Sequence, residues 1–558
     1  MPKPVSVPVA VPSPRAPRWG TPAWWAGSFG LPACAGGLLA LAYPPFDAFQ
    51  LGWVGLIPLL WAVESVPPGE AFRRGYLAGL FFFGLTVWWV GHVTVPGAVT
   101  LIILLALYFG AAGWWLGLVG RYFFRNGHDR AGRNLLAALV AAAGWVVIEW
   151  FRARFIMGGF GWNGLGVSQY RAAALLQFIS VTGGYGASAL LVVINVIFYA
   201  TVRRWLMHLR AGQPVRRLSW ELYAVMVTVC VLFLVGAREI ARRDQTPSQS
   251  LRVLMVQANI PQSLKFVPDK AQMILDRHRH LTLTGAASQP NLIIWPETAL
   301  PHPMRYDPVS YELATNIAIT TGTYLLTGTI DYRSGSYPPE AYNAAILLGP
   351  DGTTRQIYHK IHLVPFGEYV PFQRWTRGLL KLIGPEGYDI TEGFGFHRGR
   401  EWTVFTLWEP VELRFASVIC FEDTVPHLYR QFARQDVHFL VNLTNDAWFR
   451  ESPAAAQHLA NAVFRAIETR RPLLRATNNG ITSIVDQCGV VRAELAPFTE
   501  GALTATINIP LDPPTTFYMR HGDVFVAVCA LVAFLWFATA NCFRLRSQSA
   551  QDDRHTHS

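Results

Sequence analysis

Eight apolar stretches free of Lys and Arg constrain this chain more than anything else in it: Ala23 to Ala42, Phe49 to Val66, Gly75 to His92, Val99 to Val119, Leu135 to Trp150, Ala172 to Ala200, Trp220 to Gly236 and Val524 to Cys542. A bilayer span takes ~20 mostly apolar residues, and backbone groups in lipid must be satisfied within the segment, so each stretch predicts a membrane helix. Seven precede a region of different texture and one follows it. The hydrophobic share of 51% and charged share of 15% agree with a multi-pass α-helical membrane protein.

Basic residues beside spans collect on the cytoplasmic side. Taking alternate sides, one set of ends and loops holds Lys3, Arg15 and Arg18; Arg73 and Arg74; Arg121, Arg125, Arg130 and Arg133; Arg203, Arg204, Arg210, Arg216 and Arg217; then Arg544 and Arg546. The short loops opposite offer Arg152, Arg154 and Arg171. Both termini are therefore expected in the cytoplasm and the large insert outside. The same asymmetry accounts for much of the net charge of +11 without a nucleic-acid partner. The first span is expected to be retained, since no small-residue cleavage site follows Ala42. The expected layout is a Pro-rich disordered tail (1–22), a seven-span domain (23–237), a periplasmic domain (251–509), a last span (523–543) and a tail (544–558).

Inside the insert, short strand-like runs alternate with amphipathic stretches. Predicted strands are Val253 to Gln257, Leu292 to Trp295, Tyr324 to Thr329, Ala344 to Leu348, Gln356 to Tyr358, Val404 to Leu407, Leu413 to Ile419, Phe439 to Leu443, Ile481 to Asp486 and Ala502 to Ile507. Asp269 to Ala287, Pro308 to Thr320 and Ala454 to Thr469 suit helices laid on a sheet. Asp351-Gly352 and Asn479-Gly480 predict hairpins, so the sheet is mixed. Layering then gives an α/β domain with helices outside.

Three of the runs end in chemistry. Cys420 follows Arg414 to Ile419 and precedes Phe421, Glu422 and Asp423; Glu297 follows Trp295-Pro296; Lys360 follows Gln356 to His359. Each alone has a plain structural reading: an inert core thiol, a surface carboxylate, a solvated lysine. Together they suit acyl transfer, with a thiol nucleophile, a carboxylate to carry its proton and an ammonium to stabilise an oxyanion and favour thiolate. Glu368 is the one carboxylate in the loop Ile361 to Pro371, which reads as an active-site lid. A Cys420 dyad with His458 is the alternative arrangement. His359 with His362, and His278 with His280, lack partners at zinc spacing and are expected to be solvated, with no metal. A Cys420 to Cys488 bridge in an oxidising compartment would silence the nucleophile. Gly159 to Gly164 matches a GxGxxG pattern outside any βαβ unit, and Gly113 to Gly117 reads as close helix packing.

Trp-Pro-Glu297, His-Lys360-x-x-Leu-Val-Pro-Phe-Gly-Glu368 and Cys420-Phe-Glu422 resemble the Glu–Lys–Cys triad of the nitrilase (carbon-nitrogen hydrolase) superfamily. With the flanking spans, the resemblance is to the apolipoprotein N-acyltransferase family, and it extends over Ala-Tyr-Pro-Pro-Phe-Asp47, Gly-Phe-Gly-Trp-Asn-Gly-Leu-Gly-Val-Ser-Gln169, Gln257 to Lys265, Asn445 to Phe449 and Arg471 to Gly480. It implies an α-β-β-α sandwich outside the inner membrane and no cofactor. Cys420 would take an acyl chain from a phospholipid, typically phosphatidylethanolamine, as a thioester and pass it to the α-amine of an S-diacylglyceryl apolipoprotein. Glu297 would be the general base, Lys360 the oxyanion stabiliser, and Glu368 and Glu422 supporting residues. Phe266 and Phe421 stand where similar members often carry Trp and Tyr, keeping an aromatic face without the polar handle. Phe421 is expected to support the site with Glu368 and Glu422, and Phe266, Phe366, Trp448 and Phe449 are candidates for substrate binding, the last three against acyl chains or the interface. The competing readings are a membrane-tethered carbon-nitrogen hydrolase of small amides and, in a different class, a transporter, which the scarcity of charges in the spans disfavours, Glu149 being the clearest.

Overall fold

A computed structural model describes residues 20–124, 130–155, 158–214, 219–333, 339–369 and 395–556, the last 14 of these without side chains. The Pro-rich leader, the expected tail side chains from Arg544 onward, and Arg125, Arg216, Arg217 and Val370 lie outside the described residues.

Among the described residues six helices are long and apolar enough to cross a membrane: Pro22–Leu41, Val95–Phe124, Ala131–Arg154, Tyr185–Arg210, Trp220–Arg243 and Val524–Cys542. The other two expected spans take different forms. Phe49 to Val66 becomes a 3-10 turn, Phe49–Trp53, and a short helix, Ile57–Val63, whose start is set by Pro58. Gly75 to His92 becomes the end of the helix Pro68–Thr86 and the 3-10 turn Trp88–His92. The former begins earlier than its apolar run because the charges in its first turns are answered locally. Glu70 accepts from Arg73 and Arg74, both at 2.7 Å, and buried Arg74 also reaches Ala62 O and Ser28 Oγ. Gly75 and Gly113 let Pro68–Thr86 and Val95–Phe124 touch backbone to backbone: a Cβ on Gly75 would lie 2.4 Å from Phe109 O.

Between the last two crossing helices lie two six-stranded sheets. The first, in order β12-β1-β2-β3-β4-β5, holds β1 (Ser248–Gln257), β2 (Leu292–Ile294), β3 (Tyr324–Tyr332), β4 (Ala341–Leu348), β5 (Thr354–His359) and β12 (Gly501–Pro510). The second, in order β11-β10-β9-β8-β7-β6, holds β6 (Phe405–Leu407), β7 (Leu413–Ile419), β8 (Phe439–Thr444), β9 (Leu473–Thr477), β10 (Ser483–Val485) and β11 (Val491–Glu494). In each sheet three central strands are parallel and the outer ones antiparallel.

Alternation along the strands builds the layers. Val253 and Met255 of β1 face a core shared with Phe415 and Val441 of the second sheet, while Leu254 and Val256 face outward to Leu313, Ala314 and Ile317 of the helix Pro308–Thr321. With Ala271–Ala286 on the same side and Ala454–Thr469 on the other, this is a nitrilase-like α-β-β-α sandwich. Strands buried on both faces need no polar alternation, which is why they read as continuous apolar runs.

The sandwich is seated on the membrane helices through Ala454–Thr469, in which every residue except Ala456 is buried. One face of that helix covers the second sheet. The other meets the loops between crossing helices, as its side-chain bonds show below.

Candidate active site

Glu297, Lys360 and Cys420 each leave the end of a strand, and the sandwich brings those ends together. Lys360 directly follows β5, with its amide donating to Asn343 O of β4 at 2.8 Å. Its side chain is 1% exposed, and Nζ donates to Glu368 Oε1 at 2.9 Å and lies 3.7 Å from Glu297 Oε1. Asn343 Nδ2 bridges the same two oxygens, at 2.7 Å to Glu297 and 2.8 Å to Glu368. Val364 N donates to the other oxygen of Glu368 at 2.8 Å, so the loop carboxylate points inward and orients the lysine. Glu297 can hold its place because Gly328 of β3 has no side chain: a Cβ there would lie 2.6 Å from Glu297 Cα.

Cys420 has φ +52°, a left-handed conformation that costs a non-glycine residue about 1 kcal/mol or more and that turns the chain sharply from β7 into the 3-10 turn Cys420–Thr424. Asn442 of the neighbouring strand clamps that turn, accepting from Cys420 N at 3.1 Å and donating to Asp423 Oδ2 at 2.7 Å. Burial pushes the thiol well above its ordinary range, Glu297 adds to the rise, and Lys360 opposes both. The expected thiolate-favouring effect of Lys360 is therefore present and outweighed in the resting site. Burial and the proximity of Lys360 to three carboxylates act in opposition on the lysine; the carboxylates prevail and keep it charged.

Glu422 is a bracket rather than a reacting group. Its oxygens accept from Ile419 N at 2.7 Å, Ile361 N and His362 N at 2.9 Å, and Tyr358 Oη at 2.8 Å, tying the Cys420 turn to the segment after Lys360. The bond from Ile419 N satisfies the backbone donor at the start of the 3-10 turn Cys420–Thr424. Burial raises its carboxyl from 4.5 to about 7, against Lys360 and the backbone donors. Between those values the folded chain keeps a proton the unfolded chain has lost, so stability falls as pH rises through that window, by about 3 kcal/mol in all. Unfolding temperatures measured from pH 4.5 to 7.5 are expected to show this slope in the native protein and a shallower one in Glu422→Gln.

His458 makes no dyad with the thiol. Its Nδ1 lies 2.8 Å from Asp446 Oδ1 and its Nε2 2.8 Å from Asp423 Oδ1. Arg475 of β9 completes a buried ring, 2.5 Å from Asp423 and 3.4 Å from Asp446. Burial and Arg475 act to lower the imidazole and the two carboxylates prevail, raising it. Sequence reasoning missed Asp446, at the turn after β8, and Arg475, within β9, because neither charge carries a local sign that its partner lies on another element. Two of the histidines expected to be solvated are not: His278 is 1% exposed and His362 is half-buried, stacked on Phe421, and burial lowers both to about 4. Their neighbours are contributed by distant elements. His359 pairs with Asp331, and His280 is exposed. Among the described residues no group of His, Cys, Asp or Glu is arranged to hold a metal. All six cysteines are free, with Cys488 held beside Arg470 and Gln177.

The membrane helices supply a wall of the site. Trp162, from the loop before the helix Tyr185–Arg210, stacks on Phe421 at 6.1 Å and 10° and packs on His458 at 4.9 Å. Gln457 holds that loop. Its Oε1 accepts from Trp89, Trp162 and Asn163 at 3.0–3.2 Å, and its Nε2 donates to Pro44 O and Thr86 O at 3.1 and 3.0 Å. Gln457→Leu would strand several buried polar groups at ~1–3 kcal/mol each. A loss of about 5 °C or more in unfolding temperature is expected, with slower acyl transfer as Trp162 loosens. Phe449 packs on Trp89 at 4.5 Å, a structural contact, whereas Phe266, Phe366 and Trp448 are exposed by 53%, 57% and 43%.

Residues 35–197 match the family model of the apolipoprotein N-acyltransferase N-terminal domain, and residues 252–511 that of carbon-nitrogen hydrolases. Apolipoprotein N-acyltransferases are similar over nearly the full length: that of Geobacter metallireducens at 32% identity, covering 90% of this chain and 94% of the relative, and that of Chlorobaculum tepidum at 31%, covering 90% and 95%. The Caulobacter vibrioides protein of the same name is 31% identical, covering 94% and 97%. Among solved structures, the nitrilase-superfamily member Nit3 of Saccharomyces cerevisiae matches at 18% identity and a TM-score of 0.35, over 47% of this chain and 90% of that one.

Proposed function

The chain belongs to the apolipoprotein N-acyltransferase family, and we propose that Cys420 carries the acyl chain, with Glu297 moving its proton and Lys360 facing the oxyanion. The observation that carries this reading is the buried Lys360 ammonium held by Glu368 within 3.7 Å of Glu297, with the charges of both acting on the Cys420 thiol. The enzyme is an acyltransferase that acts on lipoproteins. The donor in this proposal is a phospholipid such as phosphatidylethanolamine.

In the first half-reaction the Cys420 proton passes to Glu297 and the thiolate attacks the ester carbonyl carbon. Negative charge moves to the carbonyl oxygen, where Lys360 stabilises it. Collapse breaks the carbon–oxygen bond to the glycerol, and Glu297 returns the proton to that oxygen, releasing lysophospholipid and leaving a thioester. In the second half the α-amine of the S-diacylglyceryl cysteine attacks the thioester carbon, its proton goes to Glu297, and the carbon–sulfur bond breaks. Glu297 then reprotonates the sulfur, and the acceptor leaves as an amide.

Both substrates in this scheme are held in a bilayer, so a site mounted on crossing helices meets them at high effective concentration. The loop basic residues support an inner-membrane protein with cytoplasmic termini and a periplasmic sandwich. Phe266, Phe366 and Trp448, exposed on the sandwich, are suited to contact acyl chains.

Mass spectrometry of the full-length protein incubated with phosphatidylethanolamine tests the scheme. The Cys420 peptide should gain one acyl chain, labile to hydroxylamine and discharged by a diacylglyceryl peptide. Ammonia release from small amides without any lipid adduct would instead establish the tethered amidase. Protease protection in sealed inner-membrane vesicles tests the orientation.

A further inference from the structure

We propose that Lys265 is a second cation of the active site, a positioning residue fixed to the main chain of Glu297 whose charge keeps the cavity neutral both at rest and when Cys420 ionises. This rests on the reading of Cys420 as the nucleophile.

Lys265 lies at the end of the segment after β1, and that segment is pinned across the sandwich. Asn478 exchanges bonds with the backbone of Ile260, at 3.0 Å to its N and 2.7 Å to its O, and Asn445 donates to Gln262 Oε1 at 2.9 Å. The pinned turn sends Phe266 outward, 53% exposed, and Lys265 inward, 3% exposed. There Nζ donates to the carbonyl oxygen of Glu297 at 3.0 Å, its one hydrogen bond among the described residues. A buried ammonium with one neutral partner is a costly arrangement unless nearby charge compensates it. Burial pulls the ammonium down to about 8, against the charges of Glu297 and Cys420, which favour it. His278, the remaining titratable group facing it besides Arg277 on the same helix, is held neutral by burial.

The charges around the thiol explain what this cation does. Those acting on Cys420 are Glu297, Glu368, Asp446, Lys360, Lys265 and Arg475. Asp446 and Arg475 are balanced within the ring they form with Asp423 and His458. Without Lys265, Glu297 and Glu368 would face Lys360 alone, an excess of one negative charge at rest that stays in the cavity, now partly on sulfur, when the Cys420 proton passes to Glu297. With Lys265 protonated, the resting pair and the thiolate pair are both neutral. An ionised Glu422 only increases the need for it.

The test uses the full-length protein in detergent without lipid, reading iodoacetamide alkylation of the Cys420 peptide against pH by mass spectrometry. Lys265→Met and Lys265→Gln are expected to move the alkylation midpoint up by about one pH unit and to slow alkylation at pH 8 about tenfold. Lys265→Arg should restore most of the native profile. Lys265→Gln keeps a donor for Glu297 O and so separates charge from anchoring. A native midpoint in folded Lys265→Gln overturns the proposal, and so does a midpoint in Lys265→Arg that is displaced as far as in Lys265→Met. Failure of Cys420 to be acylated by phospholipid would refute the reading of the reaction instead, since alkylation needs no lipid.

Discussion

Cys420→Ala is expected to accept no acyl chain and to transfer none, with activity falling to background, a loss on the order of 10⁶-fold if the thiol is the covalent carrier. The fold should survive. The side chain is small, and the clamp by Asn442 acts through the Cys420 backbone, which the substitution keeps. Cys420→Gly separates the two properties further. At φ +52° glycine relieves the left-handed strain, so the variant should be equally stable or more stable while remaining inactive. Cys420→Ser should also be inactive, because the cavity that already raises a thiol will hold an alcohol neutral. Acyl adduct by mass spectrometry and thermal unfolding of the same samples check all three. Acyl transfer persisting in Cys420→Ala would exclude the proposed nucleophile.

Lys360→Met should both inactivate and destabilise. The side chain is 1% exposed and stands between Glu297 and Glu368, which share Asn343 as their other donor. Without the ammonium, two buried carboxylates are left facing each other, a change worth about 3–5 kcal/mol, and one of them will take up a proton to relieve it. The unfolding temperature is expected to fall by about 10 °C, and thioester formation to drop by ~10³-fold or more with the loss of the oxyanion partner. Glu368→Gln should be milder, since its amide oxygen can still accept from Lys360 and Asn343, at the expense of the bond that Val364 N donates to the other carboxylate oxygen. Lys360→Arg is not expected to restore activity, because the planar guanidinium does not fit a site built for a point charge. A Lys360→Met protein that forms the Cys420 adduct at the native rate would remove the lysine from the mechanism.

The legible part of the site was its ends. Cys420, Glu297 and Lys360 each follow a run whose apolar continuity marks a strand buried on both faces, and a charged or nucleophilic residue at such a boundary is conspicuous in the chain. Strand β9 was not recognised as a strand, because Arg475 interrupts its apolar run; the residue is tolerated there only because Asp423 and Asp446 answer it. The short β11 alternates between half-buried and exposed residues and left too weak a pattern to find. In the membrane region the count of long apolar helices differs from the count of apolar stretches, since Ile57–Val63 and Pro68–Thr86 are bounded by prolines and local ion pairs rather than by hydropathy.

The helix Ala454–Thr469 shows the boundary between the two kinds of information. Its amphipathic pattern identifies a helix that covers a sheet, yet its polar Gln457 and His458 are buried as deeply as its alanines. Gln457 meets three separate segments of the membrane region, and His458 two carboxylates from two other turns. The sequence by itself marked six of the crossing segments, the sandwich and the proposed thiol, carboxylate and lysine, because hydropathy and period are local properties of a chain. Only the tertiary structure decided which charges neutralise one another, that Lys265 and His278 are buried, and that a loop between crossing helices walls the nucleophile. Those depend on contacts between residues up to hundreds of positions apart, and a buried charge or amide leaves no mark in its own neighbourhood until the partner that satisfies it has been folded into place.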